Sequence, residues 1–274
     1  MRIRTRLSAA LAGMVFALAT VVAHAQALEE GRLLLATQVL NDLRGTRDQG
    51  IPSWLLQRAY AVAVFPGVTK VAFFFGGRFG HGVLVERTPS GQFSDPVFVT
   101  IAGGSFGFQW GVQKTDLVLV FTSRQGVSGL SGGKITLGAD ASVAAGPIGR
   151  EASAATVQTF DAGVYSYSHN KGLFAGVSIN GAELTTDHGA DAAFYGNPDV
   201  RASQILSGAI TTGNSSAVQF VDAVDTACGL PAVPIQAGVP ATTTTPAASA
   251  GPSNSTTQAF PLEQQNSGSS NPPN

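Results

Sequence analysis

Residues 165–184 read YSYSHNKGLFAGVSINGAEL. Tyr165 and Tyr167 alternate with Ser166 and Ser168, the two-residue period of a strand with one buried face. His169–Gly172 (HNKG) has turn composition and leads into a second strand-like run, Leu173–Ile179. Asn180–Gly181 is a strong hairpin signal. The stretch predicts consecutive antiparallel strands in which large side chains fill one side. Its glycines allow sharp bends and close backbone approach. His169, Lys171 and Glu183 are its sole candidates for chemistry, so it reads as architecture.

The same pattern extends upstream. YAVAVFPGVTKVAFFFGG, GHGVLVER, PVFVTIAGG, SFGFQWGVQ and TDLVLVFTS are runs of Val, Phe and Ile bounded by Gly, Pro, Ser or Asp. KITLGADASVAAGPIGREA continues it toward residue 159. Helical spacing brackets this body. Leu33, Ala36, Leu40 and Leu43 fall on one face of a helix expected over 28–48, with Glu29 and Glu30 near its start and Arg44 and Arg47 near its end. The sequence leaves open whether that helix docks on the core or lies in a lipid interface. Pro52 opens a short helix; Pro198 opens another, which Gly208 ends; SSAVQFVDAVDTAC forms the last. The expected class is α+β: a strongly curved antiparallel sheet or barrel-like body flanked by N-terminal and C-terminal helices.

The chain divides into three parts. Residues 1–25 have the form of a signal peptide: a basic MRIRTR, an apolar run and AHA as the cleavage site, so the mature chain is expected to begin near Gln26. Residues 26–228 form the domain. Residues 229–274 are Pro, Thr, Ser and Ala-rich, and too poor in large apolar side chains to offset the entropy of ordering, so disorder is expected. Loss of the leader lowers the 16 basic side chains by three against 17 acidic ones, a net charge of −4. That balance argues against nucleic acid as a partner. A single cysteine, Cys228, forms no internal disulfide, and His81, His169 and His188 are too scattered for a zinc or haem pattern. No cofactor and no metal are expected.

Catalytic motifs fail on context. Gly103–Gly107 (GGSFG) matches the nucleophile-elbow pattern around Ser105, and His169 or His188 with Asp116, Asp140 or Asp161 could complete a triad. The elbow needs a helix after the serine, and an alternating strand pattern follows here. Gly129–Ile135 (GLSGGKI) lacks both ends of the phosphate-loop pattern. Asp187, His188 and Asp191 in TTDHGAD are metal-type residues, but the composition is that of a polar turn. An outer-membrane barrel needs about 9–11 residues per strand, and several of these runs are shorter.

Four long blocks carry a resemblance. AVAVFPGVTKVAFFFGGRFGHGVL, SFGFQWGVQKTDLVLVF, GADASVAAGPIGR and YSYSHNKGLFAGVSINGAEL, in that order, closely resemble the SYLF domain family, from about Leu28 to Cys228. The family occurs in bacterial exported proteins and eukaryotic trafficking proteins. The resemblance implies lipid binding, phosphoinositide binding in eukaryotic members, and no catalytic residues. Some eukaryotic members also bind actin; the SH3 or FYVE modules that accompany the domain there are missing from this sequence, so actin is not an expected partner.

Phosphate headgroups favour Lys and Arg. Lys70, Arg78, Lys114, Arg150 and Lys171 all lie in the matched blocks beside Gly-rich turns or strand ends. They are the expected headgroup-binding residues. Trp54, Phe79 and Trp110 are the expected membrane contacts, since aromatic rings suit the interfacial zone. The expectation is a non-enzymatic, exported, periplasmic or secreted protein, peripheral to a membrane of anionic lipid. The alternatives are an envelope interaction protein with a protein or cell-wall partner from the envelope or a host and, more remotely, a serine hydrolase through Ser105.

Overall fold

The computed structural model describes residues 26–42, 50–72, 75–106, 111–148, 162–170 and 173–230. The expected leader (1–25) and the tail from 231 onward lie outside the described residues.

The first helix, α1, spans 26–42 and buries Leu33, Ala36, Val39 and Leu40. Their spacing of three and four residues places them on the stripe that faces the core. Helix α2 is Ser53–Gln57, with Pro52 at its N-cap. Four long strands follow: β1 (Ala61–Ala72), β2 (Phe75–Glu86), β3 (Val97–Phe106) and β4 (Gly111–Phe121). Shorter strands are β5 (Lys134–Thr136), β6 (Val143–Ala145), β7 (Val164–Asn170), β8 (Leu173–Gly176) and β9 (Glu183–Thr186). Helices α3 (His188–Tyr195), α4 (Ala202–Leu206) and α5 (Ser215–Ala227) complete the domain.

The strands form one strongly curled sheet in the order β5-β9-β3-β2-β1-β4-β7-β6, with β8 paired to β7. The pairings are antiparallel except β6 with β7. The expected α+β class and curved, helix-flanked sheet are what the chain adopts.

The central strands are buried on both faces, which explains their nearly unbroken apolar runs. Val62, Val64, Val83, Val85, Val118 and Val120 face α1 and α5, packing with Leu33, Leu40, Phe220 and Val224. Ala63, Phe65, Leu84, Ile101, Leu119 and Phe121 face the opposite way, onto Leu130, Leu137 and Ile205. We call these the helix-side and loop-side faces.

The curl has a local cause. The register of β1 shifts on both sides of Pro66–Gly67, and Gly67 has φ +70. An extra residue in one strand bends it and increases its twist. The bend presses β1 onto β2: a Cβ at Gly82 would strike the Phe65 ring and the Val64 carbonyl.

Several local expectations differ from the structure. Asn180–Gly181 is a turn, with Gly181 at φ +76, but it joins strands that do not pair: β8 lies on β7, and β9 lies between β3 and β5. The helix expected to start at Pro198 starts one turn later, at Ala202; Gly196, at φ +63, is instead the C-cap of α3. TTDHGAD holds the start of α3, with Asp187 as its N-cap, accepting from the Ala190 N–H at 3.1 Å. SFGFQWGVQ is no single strand: Ser105 and Phe106 end β3, Gly111 begins β4, and 107–110 lie outside the described residues. Strands β2 to β4, at 12, 10 and 11 residues, are longer than the runs GHGVLVER, PVFVTIAGG and TDLVLVFTS, whereas β1, at 12, ends inside its longer run and β2 begins there.

Candidate anion-binding site

The alternation of side chains along each strand fixes which residues share a face. Lys70 on β1 and Arg78 on β2 are direct cross-strand partners. Both project to the loop-side face. Opposed residues on one face of an antiparallel pair have Cβ atoms only about 5 Å apart, so the two cationic stems run side by side. Neither makes an ion pair among the described residues.

Arg78 is half-buried. Its Nη1 donates to the Ser178 carbonyl at 3.3 Å, which draws the guanidinium toward the 177–179 segment. Its Nε is buried with no hydrogen-bond partner. Burial also lowers the guanidinium's hold on its proton. A buried donor with no acceptor is costly; an anionic oxygen would satisfy it.

Lys114 on β4 opposes Thr69 and therefore projects to the helix-side face. Its stem lies against Gly67, where a Cβ would strike Cε. Phe79 also opposes Thr69 and shares this face; it is exposed and meets His81 edge to face at 4.9 Å. Lys70, Arg78 and Lys114 thus gather at one end of the β4-β1-β2 sheet, two on one face and one on the other. Trp54 on α2 is partly buried against the helix-side core. Arg150, Lys171 and Trp110 lie outside the described residues.

Ser105 and His169 lie apart. Ser105 is on β3, and His169 is on β7, four strands away along the sheet. His169 does pair with Asp116, its Nδ1 lying 3.0 Å from Oδ2, but the other Asp116 oxygen accepts the Gly67 N–H at 2.8 Å. That carboxylate ties the β1 bulge to β7. No cluster of three metal-type side chains suited to an ion occurs among the described residues. Asp191 is buried and accepts the Phe98 N–H at 2.8 Å; burial first, then Asp187 and Glu29, push its carboxyl up to about 7. Burial pushes the Cys228 thiol up to about 12, so it is an inert core group.

A second polar cluster was not legible beforehand. Arg32 on α1 contacts Glu29 at 3.1 Å and Asp187 at 3.7 Å, and lies over the Phe98 ring at 5.3 Å. At its other end, Asp42 lies 3.9 Å from His169 Nε2. The helix therefore crosses the sheet and is pinned at both ends. Its pinning partners are far apart in sequence and carry no spacing signal. Among the described residues, no helix is long and apolar enough to cross a membrane.

Residues 102–227 match the family described as "Ysc84: Las17-binding protein actin regulator". Protein YSC84 of Saccharomyces cerevisiae is 41% identical over 166 residues, covering 60% of this chain and 35% of that protein. The human SH3 domain-containing YSC84-like protein 1 is 36% identical over 166 residues, covering 60% of this chain and 48% of that protein. Its Xenopus laevis counterpart is 36% identical over 168 residues, covering 61% and 50%. The chain spans half or less of the length of these relatives. Taken with the helix-flanked curled sheet, these likenesses show that the chain carries a domain of the Ysc84/SYLF family.

Proposed function

We propose that this domain binds anionic lipid headgroups, phosphorylated ones foremost, and carries out no reaction on them. The observation that carries the reading is the Lys70–Arg78 pair: two adjacent cations without ionic partners among the described residues, one with a buried, unsatisfied Nε. A phosphate oxygen supplies both the charge and the acceptor. Lys114 adds a third cation at the same end of the sheet. The leader-like residues 1–25 support export, with the domain acting at an envelope or external membrane surface.

Co-sedimentation with phosphatidylcholine vesicles, with and without phosphatidylglycerol or a phosphoinositide, tests the reading. Preference for the anionic vesicles that weakens as salt rises is expected. Equal retention on both vesicle types overturns it. Fractionation of the native host, with sequencing of the mature N-terminus, tests export; a start near Gln26 is expected, and a cytoplasmic full-length chain contradicts it.

A protein partner is the second reading. The family description names Las17 binding and actin regulation, and the outer face of α1 exposes Leu28, Leu34 and Leu35. Co-sedimentation with purified actin filaments in the absence of lipid separates the two readings.

A further inference from the structure

Gly77 on β2 and Gly104 on β3 are cross-strand partners. Neither has a positive φ, and a Cβ on either would meet no atom within 4 Å. Among the described residues, neither a turn nor close packing explains them. Glycine inside a strand weakens it, and besides a bend one common use is to let a ligand approach the backbone.

The surroundings are apolar. Val71 opposes Gly77, and Val112 opposes Val71, forming one row across four strands: Val112, Val71, Gly77, Gly104. The next row on the same helix-side face is Lys114, Thr69, Phe79, Ala102. Val71, Phe79 and Val112 are 50%, 51% and 71% exposed. Side chains beside two bare backbones make a depression about 10 Å wide, two strand spacings. Its lining side chains Val71, Phe79, Ala102 and Val112 carry no hydrogen-bonding group, and Thr69, between Lys114 and Phe79, adds a single hydroxyl. A protein surface brings polar groups that need partners, whereas a hydrocarbon chain needs none. Lys114 is the sole ionic side chain in the two rows. Beyond Ala102, Glu183 is already paired with Lys134 at 2.6 Å, and Asp116 is held by Gly67 and His169. The charge left at the edge of the depression favours an anionic end group.

We propose that this glycine-floored depression seats one acyl chain of an anionic lipid, with the head of that lipid beside Lys114. The inference rests on the lipid reading above and adds to it a hydrocarbon subsite on the sheet face opposite the Lys70–Arg78 pair, with Lys114 as its cation.

Calorimetric titration with hexyl, octyl and decyl phosphate, each below its micelle concentration, tests it on the whole protein. Matched alkyl trimethylammonium salts serve as the charge control. Affinity is expected to rise with chain length, by up to about fourfold for each methylene that enters the depression. Gly104→Val and Gly77→Val fill the floor from positions where an added Cβ meets no atom within 4 Å, and circular dichroism and a thermal melt verify that they fold. Both variants should lose the chain-length dependence and bind octyl phosphate at least tenfold more weakly. Chemical-shift changes at Val71 and Phe79 in the unaltered protein give a readout free of any folding effect. A filled variant that keeps the dependence, shifts confined elsewhere, or no dependence in the unaltered protein overturns the inference; the last is the outcome for a protein-facing patch. Equal binding of phosphate and ammonium series, with the dependence still lost in the variants, sinks the headgroup reading while leaving the hydrocarbon subsite standing.

Discussion

Asp116 Oδ2 lies 3.0 Å from His169 Nδ1 while Oδ1 accepts the Gly67 N–H at 2.8 Å. One carboxylate thus joins the bulge that bends β1 to the strand two places away. Asp116→Ala should leave the Gly67 donor and the His169 ring short of a partner and lower unfolding free energy by about 1–3 kcal/mol. Urea denaturation measures this; an unchanged midpoint contradicts it.

Gly82 and Gly104 should respond oppositely to valine. At Gly82 the new side chain meets the Phe65 ring and the Val64 carbonyl, so overpacking should cost about 1–3 kcal/mol or prevent folding. At Gly104 the space is open and a β-branched residue suits a strand, so stability should hold or rise by up to about 1 kcal/mol. Paired thermal melts decide it. A large loss at Gly104 would mean that the depression is needed by the fold itself.

Asp191 gives the domain a pH dependence of defined sign. Burial raises its carboxyl from 3.8 to about 7, so the folded state favours the proton. Its contribution is fully present below about pH 4 and is lost as pH rises through about 7. Asp225, raised to about 6 by burial and Asp222, acts in the same direction. Asp191→Asn keeps an acceptor for Phe98 N–H and removes the titration. It should stabilise the protein by at least about 1 kcal/mol at pH 8 relative to pH 4, measured by melts across that range. A variant that loses stability equally at both pH values contradicts this.

The two sides of α1 should also differ. Leu40→Ala empties a core position and should cost about 2–5 kcal/mol. Leu35→Ser alters an exposed position and should shift stability by less than about 0.5 kcal/mol. If Leu35→Ser abolishes actin co-sedimentation while vesicle binding persists, the protein-partner reading gains the outer face of α1.

The fold was legible where apolar periodicity was strong. Leu33, Ala36 and Leu40 disclosed α1, and the Val-rich runs disclosed β1 to β4. Pairing between distant strands was not legible. Asn180–Gly181 has the composition of a hairpin, yet β9 is claimed by β3 and β5 through Leu184, which the loop-side core buries. Helix α3 was missed because HGADAAFY is short and opens with turn-forming residues; its buried Asp191 and Phe194 supply the tertiary support that composition hides. The candidate site was legible as residue types and not as faces. Lys70 and Arg78 become neighbours through a register that the β1 bulge sets, and the same alternation sends Lys114 to the opposite face. Gly77 and Gly104 are indistinguishable in sequence from glycines that the bend requires, until open space is found above both.

Vesicle co-sedimentation of a Lys70→Ala/Arg78→Ala double variant tests the central claim most directly. Lys134→Ala, at an exposed ion pair elsewhere on the sheet, serves as a single-charge control for general electrostatics. The unaltered protein and the Lys134 variant should pellet with phosphatidylglycerol-containing vesicles, and the folded double variant should pellet markedly less. A double variant that pellets as fully as the unaltered protein would contradict the account.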